Sequence, residues 1–488
     1  MKKPSVNIVW IKRDIRLQDH APIAAAEKSN IPYLMLYIFE PKMMEHPASS
    51  LRHWQFCWHS LQQQNKLIAQ KNRKVEICYG EATEVFNFYL MHYEIKQVLS
   101  YQETDGMHSW LRDKQISSLL KSKGISWTQF QRDGIIRGIK NREGWDKKWM
   151  DAMNAPKELY LISDSTLPPI INPFLLPLAL ISEFNKFPST FQPAGETFAW
   201  KYLKSFAEER GKLYQKNISK PLKSRTSCGR ISVYLAWGNI SIRQAYQFVY
   251  THPNYQKNKR AFNAFLRRLK WHCHFIQKFE MQCSYENRCL NKGFEQLQTK
   301  YNKDYIKAWK DGKTGFPLID ACMRCLAATE WLNFRMRAML VSFFCHHLNQ
   351  DWRDGVYYLA QLFLDYEPGI HYCQFQMQAG TTGINTIRIY NPIKQSLEHD
   401  SEGSFIRKWL PELNTLSDSQ IHEPEKMPLL DALFLNFRIG IDYPLPLIDL
   451  KINAKSARER LWGHLNTSAV LRENSTILAK HTRPQRQK

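Results

Sequence analysis

Two carboxylates stand beside a run of aromatic and amide side chains in residues 363–392, FLDYEPGIHYCQFQMQAGTTGINTIRIYNP. Asp365 and Glu367 come just before the Pro-Gly pair. Upstream, the segment WLNFRMRAM places Arg335 and Arg337 inside an apolar helical pattern. Buried guanidinium groups need anionic partners, so the two acids are candidate partners for these arginines. The pattern fits either a charge-balanced binding site or an ion pair with a structural role alone.

A second group of side chains could bind phosphate. In RTSCGRISVYLAWGNIS, residues 225–241, the hydroxyls of Thr226, Ser227 and Ser232 surround a glycine ahead of an apolar helical pattern. Hydroxyls and backbone N–H groups at a helix start bind phosphate groups. The same pattern also forms an ordinary helix N-terminal cap, and the residues alone leave both interpretations open.

A third group combines cations with a tryptophan. The segment AFLRRLKWHCHF, residues 264–275, places basic side chains beside Trp271 on one predicted helix, and further basic residues precede it. The basic residues are Lys257, Lys259, Arg260, Arg267, Arg268 and Lys270. Cations interleaved with an aromatic ring suit a phosphate backbone with a stacked base. A solvated basic helix face explains the pattern equally well.

The cysteines and histidines do not form a metal-binding pattern. Cys322 and Cys325 make a CxxC pair inside an apolar helical segment, without a second pair at zinc-like spacing. The adjacent residues in HCH (272–274) and CHH (345–347) point in different directions on a helix. We therefore predict buried thiols and no metal site.

Composition indicates an intracellular protein with a polyanionic partner. The chain has 488 residues, 43% of them hydrophobic, and a formal net charge of +23. Such an excess of positive charge favours nucleic acid. The sequence has no apolar run of about 18 residues and no signal-peptide pattern at its start. We expect a cytoplasmic protein that does not enter membranes.

The elements that must position these side chains fall into two domains. Apolar, β-rich runs at 6–11, 33–39, 74–80 and 97–101 alternate with helical patterns, which predicts a Rossmann-like α/β domain with a parallel sheet over residues 1–135. Later segments are helical, which predicts an all-α domain. The remaining predicted boundaries are 136–195 for a connector, 196–465 for the all-α domain and 466–488 for a loose basic tail.

Four ordered segments resemble the photolyase/cryptochrome family. They are VWIKRDIRLQDHAPIAAA (9–26), AWKDGKTGFPLIDACMRCLAATEWL (308–332), DWRDGVYYLAQLFLDYE (351–367) and IRIYNPIKQSLEHDSEGSFIRKWLPEL (387–413). The resemblance implies an N-terminal α/β antenna domain, which could hold a second chromophore of unknown identity. It also implies a C-terminal helical domain that holds FAD.

The resemblance also implies roles for individual residues. Trp271, His371, Arg337 and Asp365 correspond to catalytic positions, and Trp309 and Trp352 to electron-transfer positions. The implied FAD-binding residues are Tyr214, Thr226, Ser227, Ser232, Arg337, Asp365, Tyr366, Glu367 and His371. The implied DNA and lesion contacts are Lys257, Lys259, Arg260, Arg267, Arg268, Trp271 and Met377.

Several positions depart from the family pattern. His371 stands where photolyases usually carry Asn opposite flavin N5, and Arg268 stands where dimer-specific enzymes carry Glu. Phe375 replaces the tryptophan nearest the flavin, and Met377 replaces a tryptophan that stacks on the lesion. Phe334 and Ala338 replace the Asn and Met of another conserved segment. These departures leave the lesion and the photoreduction route open.

The resemblance therefore implies light-dependent repair of pyrimidine dimers in DNA by electron transfer from photoexcited reduced FAD. We expect a monomeric deoxyribodipyrimidine photo-lyase with DNA as its partner. A cryptochrome-type blue-light photoreceptor with FAD and no repair activity is the alternative, which the altered pocket residues favour. A DNA-binding module without flavin is a third, less favoured hypothesis.

Overall fold

A five-stranded parallel sheet forms the core of the N-terminal region. The computed structural model describes residues 3–168 and 170–482. The strands are β1 (Ser5–Ile11), β2 (Tyr33–Phe39), β3 (Val75–Tyr79), β4 (Glu94–Tyr101) and β5 (Ser126–Phe130). Their order in the sheet is β3-β2-β1-β4-β5, and all pairs are parallel. Every residue of β2 is buried, because helices cover both faces of a parallel sheet.

Helices connect successive strands and confirm the predicted α/β class. They are α1 (Ala21–Lys28), α2 (Pro41–Met44), α3 (Leu51–Ile68), α4 (Ala82–His92) and α5 (Met107–Ser122). The segment predicted as a connector then contains α6 (Trp145–Asn154) and α7 (Leu178–Asn185). Trp145 and Trp149 of α6 are buried, so the first part of this segment packs into the protein core.

The rest of the described chain is helical, as predicted. The helices are α8 (Glu196–Glu208), α9 (Tyr214–Asn217), α10 (Ser224–Ser227), α11 (Ser232–Ala236), α12 (Ile242–Tyr250), α13 (Lys259–Met281), α14 (Lys303–Asp311), α15 (Pro317–Thr329), α16 (Phe334–Ser342), α17 (Arg353–Leu362), α18 (Pro368–Ala379), α19 (Pro392–His399), α20 (Ser404–Trp409), α21 (Leu429–Phe434), α22 (Leu450–Leu465) and α23 (Ser468–His481). The long helix α13 packs against α18. A π-helical turn, Phe343–His347, extends α16.

The prediction of a loose tail from residue 466 is wrong for α23. Val470, Ile477 and His481 on this helix are buried. Their spacing of seven and four residues places them on one helix face. That face packs on the segment Lys292–Gln296, which accounts for an ordered helix in a polar, basic stretch. Residues 483–488 of the predicted tail lie outside the described residues.

The two domains meet along a close backbone contact beside β1. The backbone N–H of Ile15 donates to the carbonyl of Trp237 at 3.1 Å. Gly238 has a φ of 71°, and a Cβ added there would lie 2.2 Å from the carbonyl oxygen of Arg13. Only glycine fits this position. Buried apolar residues of both regions form one continuous cluster across the contact.

Among residues 3–168 and 170–482, each helix is too short or too polar to cross a lipid bilayer.

Candidate functional site

A large cavity opens within the helical domain. Its volume is about 1000 Å³, at the upper end of the range for small-molecule sites. Residues of α13, α16 and α18 form much of its wall. Two carboxylates, Asp365 and Glu367, line it. Six basic side chains also line it: Arg230, Arg268, Lys278, Arg335, Arg337 and Arg388. The excess of cations suits an anionic occupant.

Arg337 and Asp365 form a bidentate ion pair on the cavity wall. The Arg337 Nη1 and Nη2 atoms donate to the two Asp365 carboxylate oxygens at 2.9 and 2.8 Å. Arg337 Nε donates to the carbonyl of Leu332 at 2.8 Å, which fixes the guanidinium plane. Burial acts to raise the pKa of Asp365, but Arg337, together with Ser232 and Arg230, holds that pKa below its usual value. The pair that the sequence indicates is therefore present and ionised.

Glu367 finds its partners in the N-terminal region instead. Its Oε2 accepts from Arg132 Nη2 at 3.3 Å and lies 3.9 Å from Arg13 Nη1. Burial raises the pKa of Glu367, although both arginines oppose that shift. Sequence analysis missed Arg13 and Arg132, because more than 200 positions separate each from Glu367. Arg335, the other candidate partner, lies 5.7 Å from the ring centroid of Tyr390.

His371 lines the cavity in a defined tautomer. Its Nε2 lies 2.8 Å from the carbonyl oxygen of Val356. A carbonyl only accepts hydrogen bonds, so Nε2 carries the proton and Nδ1 keeps its lone pair. Burial lowers the pKa of His371 to about 4, against the opposing effect of the Val356 carbonyl. The imidazole is therefore neutral near pH 7.

Trp271 and Met377 lie on the cavity wall, as the resemblance implies. Trp271 of α13 is 50% exposed, so its ring is available at the cavity mouth. Arg268, one turn earlier, lies over the ring of Phe334 with 5.6 Å between the guanidinium carbon and the ring centroid. Met377 of α18 also lines the cavity. The substituted positions 268, 334 and 377 therefore share one cavity with Trp271.

The residues predicted to contact FAD phosphates divide into two pairs. Tyr214 and Ser232 line the cavity. Thr226 and Ser227 lie away from the wall. Thr226 donates its hydroxyl proton to the carbonyl of Lys223, and Ser227 accepts from the Asn217 amide at 2.9 Å. Thr226 uses its proton in a local hydrogen bond, whereas Ser227 only accepts one and keeps its own proton, so their contacts with the FAD phosphates stay a prediction.

Arg230 is a wall residue that sequence analysis did not select. It is buried, and its Nη2 donates to Glu330 Oε1 at 3.4 Å. It also lies 4.1 Å from the ring centroid of Trp331. Its φ of 56° is unusual for a residue other than glycine. Its place immediately after Gly229 was the only sequence signal.

The aromatic residues predicted for electron transfer form an interrupted path. Phe375 lines the cavity and its ring centroid lies 6.5 Å from that of Trp352. Trp309 is fully buried and packs against Phe344 with 4.4 Å between centroids. Tyr366, predicted to contact FAD, lies elsewhere: its ring lines a separate, smaller pocket. Its implied contact with FAD through the side chain is therefore not supported by its position.

The four remaining predicted DNA contacts lie together on the surface. Lys257, Lys259, Arg260 and Arg267 are exposed at the start of α13 or just before it. These four side chains do not line the cavity. Their position on the helix that carries Trp271 is compatible with contacts to a phosphate backbone outside the cavity. Their role stays a prediction.

A second, small pocket lies at the carboxyl ends of the strands. Its volume is about 60 Å³, well below the size of ordinary ligand pockets. An ion-pair network fills much of the space: Arg112 pairs with Glu103 and Glu40, and Lys12 with Asp113 at 3.2 Å. This volume is too small for a flavin or for another chromophore of that size. The predicted second chromophore thus stays a prediction for the N-terminal domain as a whole.

One group of side chains near this pocket has metal-ligand chemistry but not metal-ligand geometry. The ligand atoms of His46, His108 and Glu286 lie within 4.8 Å of one another. However, the two imidazole rings are stacked, with 4.3 Å between centroids and 29° between planes. Imidazole lone pairs lie in the ring plane, so stacked rings cannot direct both toward one ion. His46 Nε2 lies 3.3 Å from Glu286 Oε1, which accounts for the contact without a metal.

Two family models match the chain. The FAD-binding domain of DNA photolyase matches residues 265–463, and the DNA photolyase model matches residues 7–138. The chain belongs to the photolyase/cryptochrome family. A deoxyribodipyrimidine photo-lyase of Alkalihalophilus pseudofirmus is 27% identical over 478 residues, which cover 93% of this chain and 97% of that protein.

Solved structures of the family share the fold. A Synechocystis cryptochrome has a TM-score of 0.84 at 21% identity and covers 94% of this chain and 99% of its own. An archaeal photolyase from Sulfolobus tokodaii with two FAD molecules has a TM-score of 0.77 at 23% identity, over 94% of this chain and 100% of its own. The fold is therefore common to relatives with a repair name and relatives with a photoreceptor name.

The helical domain is an FAD-binding domain, and its cavity fits that cofactor. The volume, the excess of basic side chains and the aromatic wall suit a dinucleotide with a flat ring system. Arg337, Asp365 and His371 offer a fixed ion pair and a neutral imidazole on one part of the wall. Tyr214, Ser232 and Arg230 offer polar contacts on another.

Proposed function

We propose that this protein repairs pyrimidine dimers in DNA in a light-dependent reaction. The observation that carries the proposal is the cavity itself. Its volume is at the upper end of the range for ligand sites, and its wall carries more cations than carboxylates. The half-exposed ring of Trp271 lies at its mouth. A flavin-binding chain that acts on a base must accept that base outside the duplex stack. The curated relative from Alkalihalophilus pseudofirmus carries the name of such an enzyme.

Reduced FAD, when bound, would supply light-driven electron transfer to a dimer. The protein residues provide position and environment. The Arg337–Asp365 pair presents a fixed dipole without net charge, so it needs no reorganisation during electron transfer. Neutral His371 adds no charge near pH 7. Trp271 offers a flat surface on which a flipped base can stack.

A photoreceptor without repair activity is the second candidate. The observation that favours it is the set of substitutions brought together in the cavity, with Arg268 over Phe334 and Met377 on the same wall. An arginine at position 268 changes the charge that a dimer meets. The two candidates share the cofactor site and differ only in whether bound dimers are converted.

Illumination of the pre-reduced holoprotein separates the two candidates. Single- and double-stranded oligonucleotides with one dimer are mixed with the protein, and restored pyrimidines are counted by chromatography against a dark sample. Repair predicts light-dependent conversion, and Trp271→Ala should reduce it. Trp462→Ala is a matched control, because Trp462 is 46% exposed on α22 and lies away from the cavity wall. Unchanged dimers in every sample contradict the repair proposal.

A further inference from the structure

Lys278 is a buried cation without an acidic partner. It lies on α13, is 7% exposed and borders the cavity. Throughout residues 3–168 and 170–482, no carboxylate lies within ion-pair distance of its amine. Burial lowers the pKa of Lys278, and nearby Arg142 adds to that effect. An unpaired cation in such a place costs folding free energy, which is typical of a functional site.

The surroundings of Lys278 are basic as well. His274, one turn earlier on α13, lines the same cavity, and Arg142 Nη2 lies 2.9 Å from its Nδ1. Arginine only donates, so His274 Nδ1 accepts and its proton lies on Nε2. His481, at the end of α23, also lines the cavity. Burial lowers the pKa of His481 to about 3, and Lys278, Lys480 and Arg142 lower it further.

The helix geometry connects this basic end to the cavity mouth. Trp271, His274 and Lys278 follow a spacing of three and four residues, so they share one face of α13. Seven residues of helix place Lys278 about 10 Å along the axis from Trp271. A DNA strand with a base against Trp271 can therefore bring a neighbouring phosphate to Lys278. A phosphate is bound favourably by a cation that has no carboxylate beside it, and among the described residues Lys278 is such a cation.

We propose that Lys278 is the centre of a phosphate-binding subsite for the DNA strand that enters the cavity, with the end of α23 as the floor of that subsite. The subsite rests on the proposed function for its substrate. It assigns a role to α23 in substrate binding and explains why no carboxylate of residues 3–168 and 170–482 pairs with Lys278. Charge-assisted hydrogen bonds of this kind contribute strongly to binding.

The test combines affinity with stability. Lys278→Met in the holoprotein should weaken binding of a dimer-containing oligonucleotide about tenfold. It should also reduce the slope of log affinity against log salt by about 1. The melting temperature without DNA should stay equal or rise, because the substitution removes an unpaired buried charge. A residue with a structural role alone would instead lower the melting temperature and leave the salt slope unchanged.

A scan of neutral phosphates locates the contact. A series of oligonucleotides is prepared, each with a single methylphosphonate at a different linkage around the dimer. At one of these linkages the neutral group should weaken binding by the parent protein but not by Lys278→Met. Lys480→Met is the matched control, because Lys480 is near but does not line the cavity; it should keep the parent's linkage dependence. Lys278→Arg retains the charge and should retain the salt slope.

The outcomes separate the subsite from the proposed function. In one outcome, the parent binds dimer DNA and Lys278→Met weakens that binding as expected, but light converts no dimers. The subsite then stands and the repair proposal fails. If the parent repairs dimers and Lys278→Met keeps the parent's affinity, salt slope and linkage dependence, the subsite is wrong. Equal effects of Lys278→Met and Lys480→Met also overturn it, since they indicate a general field of positive charge.

Discussion

The Arg337–Asp365 pair shows how one local interaction controls the cavity wall. The carboxylate is 5% exposed and the guanidinium 26% exposed, so neither ion is fully solvated. Removing one partner of such a pair leaves an uncompensated charge, whereas replacing both by apolar groups often costs little. The pair is therefore expected to matter more for what it positions than for net stability.

Asp365→Asn should destabilise the protein and weaken FAD retention. Loss of one partner from a buried pair costs roughly 3–5 kcal/mol, and the exposed part of Arg337 places the expected loss at the lower end. Urea unfolding and FAD absorbance per polypeptide measure the two effects. The double variant Arg337→Met with Asp365→Leu should recover stability but not FAD retention. Full occupancy and unchanged unfolding in Asp365→Asn contradict the assignment.

His371 should remain a neutral Nε2–H tautomer across the physiological range. The Val356 carbonyl fixes the proton on Nε2 at 2.8 Å, and the pKa of about 4 lies well below neutrality. Nitrogen-15 NMR of the holoprotein should show one protonated and one unprotonated ring nitrogen, without titration between pH 5 and 8. His371→Gln provides the assignment control. A His371 signal that titrates near pH 6.5 contradicts the hydrogen bond or its burial.

At the residue scale, the sequence predicts a pair of interacting side chains when the two residues are close along the chain or when both are charged residues in apolar surroundings. Arg337 and Asp365 are 28 positions apart and stand out as charges in apolar surroundings, so their pairing was predictable. Glu367 was also selected, but Arg13 and Arg132 come from another domain and only the folded chain brings them close. Lys278 belongs to no sequence pattern. It is unusual because no carboxylate of the described residues pairs with it, which only the folded structure shows.

At the scale of elements, the aromatic path from the cavity is interrupted at its first position. Phe375 of α18 lines the cavity, and Trp352 lies beyond it at 6.5 Å between centroids. Trp331 also borders the cavity, but Arg230 and Arg225 lie 4.1 and 5.7 Å from its ring centroid. Two cations beside an indole disfavour its oxidation to a radical cation. Trp331 is therefore a poor substitute for the missing tryptophan.

Phe375→Trp should speed the photoreduction of oxidised FAD in the presence of external reductant. Phenylalanine is much harder to oxidise than tryptophan, so the direct step from position 375 is closed in the natural chain. Transient absorption should show a tryptophanyl radical in the variant on a timescale absent from the parent. Adding Trp352→Phe should remove the gain. A parent that already forms the radical within nanoseconds, unaffected by Phe375→Trp, requires another route.

The basic start of α13 should determine the salt dependence of DNA binding outside the cavity. Changing Lys257, Lys259, Arg260 and Arg267 to Ala should flatten the salt slope by about 1 for each phosphate contact removed. The four exposed residues Lys121, Lys123, Lys451 and Arg458 form a control of equal charge elsewhere on the surface. Similar slopes for the two quadruple variants would identify the α13 face as merely solvated.

The type of an element was predictable where its hydrophobic periodicity was strong. The prediction failed where contacts with other parts of the fold determine whether a strand or helix forms. The run at β2, YLMLYIF, is a continuous apolar segment, and the run at β1, SVNIVWI, is nearly so. By contrast, β5 reads SWTQF and is exposed or half buried along its length, so its sequence resembles a loop. In α23, the large apolar residues are two short pairs, Val470–Leu471 and Ile477–Leu478, and one member of each pair is buried. Short apolar patterns become decisive only when a neighbouring surface covers them.

At the scale of the whole molecule, buried histidines make the fold sensitive to acid. Burial is the largest influence on each of five imidazoles, and it lowers the pKa of His53, His346 and His481 to about 3 and of His272 and His371 to about 4. An unfolded histidine has a pKa near 6.5. Between pH 6.5 and 4.5 the unfolded chain therefore binds more protons at these sites, and the folded state loses stability as pH falls.

Buried carboxyls with a raised pKa oppose this trend, and Glu196, Glu330 and Asp320 are examples. Burial raises the pKa of Glu196 and Glu330 to about 7 and of Asp320 to about 6. Their folded pKa values lie above the unfolded ones, so their contribution to stability is present at low pH and is lost as pH rises toward 7. The histidines and the carboxyls therefore contribute slopes of opposite sign to the stability between pH 6.5 and 4.5.

Single substitutions should change this pH dependence in opposite directions. His346→Gln removes one group that destabilises the fold in acid, so its loss of stability between pH 6.5 and 4.5 should be smaller than the parent's. Glu330→Gln removes one opposing group, so its loss should be larger. Each change corresponds to about 1.4 kcal/mol per pH unit for one proton. Urea unfolding at pH 6.5, 5.5 and 4.5 measures the slopes, and parallel slopes for parent and both variants contradict the assignment.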